Sequence, residues 1–163
     1  MKSRAAALTA ALLLALTACG GGDSVAEARP DYANQQGRDG AEKFAGYWVD
    51  QINQASATGK TKPLKALGLP ECDTCTDFAN HLDDVYGAGG RVESDDWTMK
   101  SVIPEHGATD KQVGMLITVT VPPNTVYANA DAKPQKFPGG DQRFRMIVVR
   151  KDEHWMIKDL EPR

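Results

Sequence analysis

The chemistry open to this 163-residue chain rests on three cysteines, three histidines and a scatter of carboxylates. Their spacing limits what that chemistry can be. Cys72 and Cys75 stand in the run Pro70-Glu71-Cys72-Asp73-Thr74-Cys75-Thr76-Asp77-Phe78. Two cysteines three residues apart at a helix start can close a disulfide, form a redox pair or supply half of a zinc site. The helix terminus would favour a thiolate on the first cysteine. Against that, Glu71, Asp73 and Asp77 crowd the motif with negative charge, and no strand is expected before it. Zinc needs two more ligands at suitable spacing, and His81, His106 and His154 are scattered. The favoured reading is a structural disulfide; a thiol oxidoreductase stays as the alternative. Gly87-Ala88-Gly89-Gly90 is rich in glycine but follows a predicted helix and precedes a predicted strand. A phosphate loop has the opposite order, with its amides opening a helix, so this run reads as a helix terminator. No Gly-x-Ser-x-Gly elbow is present, and no metal or cofactor is expected.

The third cysteine carries an address. Lys2 and Arg4 precede twelve apolar or small residues, Ala5 to Leu16, too few for a membrane span of about 20 and of the length found in a secretory signal. The segment ends in Leu16-Thr17-Ala18-Cys19, which resembles the lipobox of bacterial lipoproteins. That resemblance implies a thioether-linked diacylglyceryl group on Cys19, cleavage before it and often a further acyl chain at the new terminus. Small residues admit the segment to the peptidase, and only a thiol forms the thioether. Residues 1–18 are then the signal peptide. Residues 19–38, opening on Gly20-Gly21-Gly22, are read as lipidated cysteine and flexible tether. Nineteen coil residues span typically about 25 Å and at most about 60 Å. The implied location is the extracytoplasmic face of a cell membrane, a compartment in which the Cys72–Cys75 pair is expected to be oxidised.

Loss of residues 1–18 removes Lys2 and Arg4 and takes the formal charge from −3 to −5. An acidic chain without a basic, aromatic-interleaved stripe excludes nucleic acid as a partner. Residues 39–163 fit one domain large enough to bury its own core.

Apolar periodicity gives the elements. Asp39-Gly40-Ala41-Glu42 reads as an N-cap with its capping-box glutamate. Phe44, Trp48, Ile52 and Ala55 then recur at helical spacing until Gly59. A short helical turn starts at Pro63, and a further helix starts near Asp73, with Cys75, Phe78, Leu82 and Val85 on one face. From Val92 the period becomes two. Trp97, Met99 and Ser101 share a face up to Pro104; Val113 to Val121 alternate up to Pro122; a hairpin is expected around Asn129 to Ala132. Phe144, Met146 and Val148 alternate with Arg143, Arg145 and Ile147, and a turn at 151–154 leads to Trp155 and Ile157. Arg143 and Arg145 share a face that Arg150 does not, which reads as a solvated surface. Helices followed by an antiparallel meander predict an α+β fold with the N-terminal helices packed on a curved sheet.

The order helix, short helix, helix and long strands, ending in Trp155-x-Ile157-x-x-Leu160, resembles the cystatin-like cone of nuclear transport factor two-like and SnoaL-like proteins. The segment from Pro30 to Cys75 resembles an uncharacterised group of actinobacterial lipoproteins, a domain of unknown function, which supports the lipoprotein and disulfide readings and brings no catalytic residues. Cone enzymes use an acid or histidine inside their cavity. Asp50, His81 and Asp159 are the candidates, but Asp50 lies off the apolar stripe, His81 reads as surface, and Asp159 is explained by a turn or an ion pair. No catalytic residue is assigned. Tyr47, Trp48, Tyr86, Trp97 and Trp155 are aromatic enough to line a cavity or to fill a core. Tyr47, Trp48 and Tyr86 are the candidate ligand-binding residues, with the tyrosine hydroxyls at the mouth of an apolar hollow beside the first helix. The expected function is a non-enzymatic, membrane-tethered module that binds a small apolar ligand or a cell-envelope protein; the alternative is a secreted isomerase- or hydrolase-like cone enzyme. Replacement of Cys19 by serine is expected to move the protein out of the membrane fraction and to abolish acyl mass on the peptide beginning at residue 19. An unmodified Cys19 in the wild type overturns the expectation.

Overall fold

The computed structural model describes residues 29–163; residues 1–18, Cys19 and the first part of the expected tether lie outside them. Residues 29–38, read from the sequence as part of a tether, are packed against the domain. A 3-10 turn, Asp31–Asn34, lies against the first helix with Ala33 fully buried. The segment is tied down at the far end of the chain. Arg29 donates to the Trp155 carbonyl at 2.6 Å, the Trp155 indole donates to the Gln35 carbonyl at 2.7 Å, and Arg150 donates to the Asn34 carbonyl at 2.8 Å. Periodicity could not reveal this strap, because backbone carbonyls hold it.

Helix α1 runs Gly37–Thr58. Gln36, not Asp39, is its N-cap, with no side-chain cap bond, so the predicted capping box is absent and Asp39 falls in the first turn, where its charge suits the helix dipole. Phe44, Trp48, Ile52 and Ala55 are buried as the spacing predicts, and Ala45, Tyr47 and Val49 widen the buried face. Gly59 ends the helix at φ 72°, its amide donating to the Ala55 carbonyl at 2.8 Å. Glycine is needed twice over here: a Cβ would stand 2.5 Å from the Tyr86 ring. Helix α2 (Lys62–Lys65) has Pro63 in its first turn, and α3 spans Asp73–Gly87. Among the described residues no helix is long and apolar enough to cross a membrane.

The strands are β1 (Arg91–Ser94), β2 (Thr98–Pro104), β3 (Gln112–Val121), β4 (Asn124–Tyr127), β5 (Gln135–Phe137), β6 (Gly140–Lys151) and β7 (His154–Pro162). They form two antiparallel sheets instead of one, ordered β2-β3-β6-β7 and β1-β4-β5. The β4–β5 hairpin turns at the predicted place. Val113, Met115, Ile117, Val119, Met146, Val148, Trp155 and Ile157 point inward into the core shared with the helices and are buried. Each large apolar side chain so buried contributes about 1.5–3 kcal/mol.

Two bulges modify the alternation read from the sequence. One falls between Met99 and Ser101 in β2, so Ser101 and Val102 are both half-buried while Ile103 faces solvent. The other, opposite Ile147 and Val148, inserts Lys158 into β7 and turns Leu160 inward rather than Asp159. The edge of β7 is covered by the loop between α2 and α3: the Leu69 amide donates to the Ile157 carbonyl at 2.8 Å, and the Ile157 amide to the Leu67 carbonyl at 2.7 Å.

On the outer face the arginines do not form a purely solvated surface. Arg145 makes a two-pronged pair with Glu105, 2.7 and 2.8 Å, across β3. Gly114 leaves room for it: a Cβ there would lie 2.5 Å from the Glu105 carboxylate. Arg143 is exposed as expected, whereas Arg150 turns back over the Trp155 ring at 5.8 Å. The hydrogen bonds from Arg145 hold the Glu105 carboxyl below the usual carboxylate range. Lys65 and Thr61 do the same to Asp83, and Lys100 and Thr120 to Asp141. A carboxyl more acidic in the folded state stabilises the fold fully above the ordinary carboxylate range, and that stabilisation is lost as pH falls through it toward the depressed folded value. Thermal melting should therefore shift down from about pH 5 toward pH 2, and Glu105→Gln should flatten the curve while lowering stability at neutral pH. An unchanged slope in the variant assigns the acid sensitivity elsewhere.

Candidate functional site

A hollow of about 530 Å³ opens between α3, the small sheet and the ends of β3 and β6. This volume is in the range of small-molecule sites. Its walls are Phe78 and Leu82 of α3, Val92 of β1, Val126 of β4, Val121 of β3 and Phe144 of β6, with Trp97 from the segment before β2. Phe137, on edge strand β5, is 41% exposed at the rim. Alternation places these residues: Val121 continues the inward row of β3, Phe144 that of β6, and Phe78 and Leu82 lie one helical turn apart.

The aromatic walls are fixed from behind. Phe78 meets Trp97 edge to face at 5.7 Å, and Trp48 meets Phe144 in the same way at 5.9 Å. Trp97 is held by its backbone. The Asn53 side chain accepts from the Trp97 amide at 2.8 Å and donates to the Trp97 carbonyl at 3.0 Å. One amide side chain on α1 thus sets where the indole stands, at about 1 kcal/mol for each bond.

Polar groups in the lining are Ser56, Ser94, Asn124, Gln142 and His81. His81 is exposed at the rim; among the described residues it is the one titratable side chain of the lining, and no carboxylate lines the hollow. Asp50 is exposed and receives a long hydrogen bond from the Tyr32 hydroxyl at 3.4 Å. Asp159 is half-buried on β7, opposite Ile147, where its charge favours the Arg145 cation. The three acid–base candidates are therefore not brought together, and His81 is the one that reaches the hollow. The arrangement can hold an apolar body against aromatic and aliphatic walls and offer uncharged hydrogen-bonding groups to a polar end. Among the described residues no cluster of histidine, cysteine and carboxylate side chains could hold a metal ion.

The residues read as ligand-binding occupy other places. Trp48 is buried behind Phe144 and is not part of the lining. Tyr47 is buried under Tyr32, ring centroids 6.3 Å apart. Tyr86 donates its hydroxyl to the Ser56 carbonyl and accepts from the Val92 amide, tying α3 to the end of α1 and to β1. Of the five aromatics considered, Trp97 lines the hollow. Asn53 was missed, although its signal was in the sequence: a polar residue next to Ile52 in the apolar stripe. Phe137 and Val126 could not be found, since nothing in a single sequence says that a second sheet folds over α3.

Cys72 and Cys75 are disulfide-bonded at the start of α3. Cys72 is 1% exposed, so a redox partner would have no access to the sulfur that should attack first. Closing so short a loop restrains the unfolded chain by about 2 kcal/mol.

Since Trp48 supports the hollow without lining it, Trp48→Ala is expected to cost about 3–5 kcal/mol. Denaturant unfolding measures this; a variant as stable as the wild type would return Trp48 to the ligand site.

Solved structures of the same architecture exist at low sequence identity. The intermembrane-space region of the chloroplast protein ARC6 superposes with a TM-score of 0.55 at 10% identity, over 75% of this chain and 92% of that one. A Mycobacterium tuberculosis protein of unknown function gives 0.50 at 9% identity, over 76% and 75%. An uncharacterised Caulobacter vibrioides protein with a cystatin-like fold gives 0.48 at 8% identity, over 77% and 89%. At such identities the first two show a likeness of fold alone, and that fold is the α+β arrangement of N-terminal helices on curved antiparallel sheets expected from the order of elements. No curated protein matches the chain by sequence. A family model matches residues 28–161, from the N-terminal strap to the last strand, and the chain belongs to that family, a family of unknown function (DUF6318).

Proposed function

We propose that this protein is a lipid-anchored, extracytoplasmic binding module that takes a small apolar or amphipathic ligand into the hollow beside α3. The observation that carries the reading is the lining: Phe78, Trp97, Val121, Val126 and Phe144 around about 530 Å³, with uncharged polar groups and His81 at its edge. Burying an apolar ligand against such walls supplies about 25 cal/mol per Å², and a few polar groups suffice to orient it. Among the described residues no carboxylate enters the lining, which leaves acid–base chemistry there to His81 and favours binding over turnover. The anchor is read from Leu16-Thr17-Ala18-Cys19. Because Arg29 is itself held to the domain, the chain from Cys19 to Arg29 can hold the domain no more than about 35 Å from its acyl group, whatever its conformation.

The test uses N-phenyl-1-naphthylamine, an uncharged apolar fluorophore, as the probe. Saturable one-to-one enhancement, with quenching of Trp97 emission, is expected in the wild type. Val126→Arg places a long side chain in the hollow from a half-buried position on β4 and should weaken binding at least tenfold with little change in melting temperature. Absence of saturable binding, or equal binding by the folded variant, refutes the reading.

A further inference from the structure

A second recess, sharing no lining residue with the first, lies where the N-terminal strap meets the β6–β7 turn, and its volume is about 370 Å³. Three basic side chains reach it: Arg29, Lys151 and His154. Lys151 and His154 are cross-strand partners flanking the two-residue turn, so their side chains lie on the same side of the hairpin. The turn is tight: Asp152 and Glu153 both have positive φ, 47° and 67°, in the left-handed region that glycine or asparagine ordinarily fills. Arg29 approaches from the strap. One of its N–H groups is spent on the Trp155 carbonyl, and its guanidinium lies over the Phe44 ring at 5.3 Å. His154 places Nδ1 2.9 Å from the Asn34 side-chain oxygen, which fixes the ring and leaves Nε2 for a ligand.

Charge balance makes the recess unusual in an acidic chain. Among the described residues the ion pairs engage Lys65, Arg91, Lys100, Arg145 and Arg163, and none engages Arg29, Lys151 or His154. Among the described residues the single carboxylate in the lining is Asp152, on the turn itself. Burial pushes the Arg29 guanidinium below its ordinary range, against a smaller opposing effect of Tyr47, as expected for a cation partly removed from water. The rest of the wall is apolar: Leu69 and Pro70 from the loop after α2, and Met156 from β7. Such a cation gains most from an acceptor with several oxygens, because its planar fork has donors to spare.

From this geometry we propose that the recess binds a phosphate ester, its oxygens held between Arg29, Lys151 and His154 and its apolar part resting on Leu69, Pro70 and Met156. An anionic lipid headgroup and a soluble phosphate compound present the same chemistry. The full chain, in detergent, is titrated calorimetrically with monomeric dihexanoyl phosphatidylglycerol and, separately, with inorganic phosphate. Binding of the lipid is expected to weaken at least fivefold in Lys151→Gln, an exposed position whose loss leaves the fold intact, and in Arg29→Gln. It should also weaken as salt rises from 50 to 300 mM. Tighter binding of the lipid than of phosphate assigns a headgroup; equal binding assigns a soluble phosphate, and both sustain the proposal. No binding of either probe, or lipid binding that Lys151→Gln leaves unchanged, overturns it. N-phenyl-1-naphthylamine binding should be the same in both variants, which separates this recess from the hollow beside α3.

Discussion

Helix α1 is buried along most of its circumference, and the rest of the molecule is arranged to satisfy that requirement. Its Phe44–Trp48–Ile52 stripe lies on the large sheet, while Tyr47 is covered by the strap. Neither sheet is closed alone. A helix this apolar, left on a single sheet face, would expose several large side chains at about 1.5–3 kcal/mol each. The strap, the small sheet and α3 are the covering. The hollow is what remains where α3 and the small sheet meet the large sheet's end, beside Ser56 in the last turns of α1. Its walls are therefore partly the outer surfaces of core residues, as Trp48 behind Phe144 illustrates.

Asn53 links the core to the hollow most directly. It projects from α1 and holds Trp97 by both backbone groups, so a rotation or slide of α1 would move the indole with it. The link is made of neutral hydrogen bonds in a half-buried place, where losing one partner leaves the other unsatisfied at about 1–3 kcal/mol. Rigid support of this kind suits a preformed pocket better than one that assembles around its ligand.

The helices were legible because 3.6-residue periodicity records burial on one face, and β3 because its alternation records the same on a sheet. Gly59 and Pro63 fell where backbone geometry requires them. What the sequence hid has a common cause. The strap is held through backbone carbonyls, which every residue type possesses. The bulges at Met99–Ser101 and Lys158 shift a register that can be read only against a partner strand. Division into two sheets depends on which strands pair. Tyr47, Trp48 and Tyr86 were plausible ligand residues by type, and their placement in the core or at a helix junction follows from the way the strap and the small sheet close. Trp97 was among the aromatics considered, but the hydrogen bonds that make it a wall came from forty-four residues away.

The strap also sets an order of events. Its partners, Trp155 and Arg150, lie more than one hundred residues downstream. Joining ends so far apart costs loop entropy that grows only slowly with length, but it cannot begin until the β6–β7 hairpin exists. A chain emerging from its amino end can lay Tyr32 on Tyr47 of α1 early, but the hydrogen bonds that lock the strap in place wait until almost the whole polypeptide is available. The earliest residues of the described domain are thus secured by the latest ones, and its two ends are fixed in a single event.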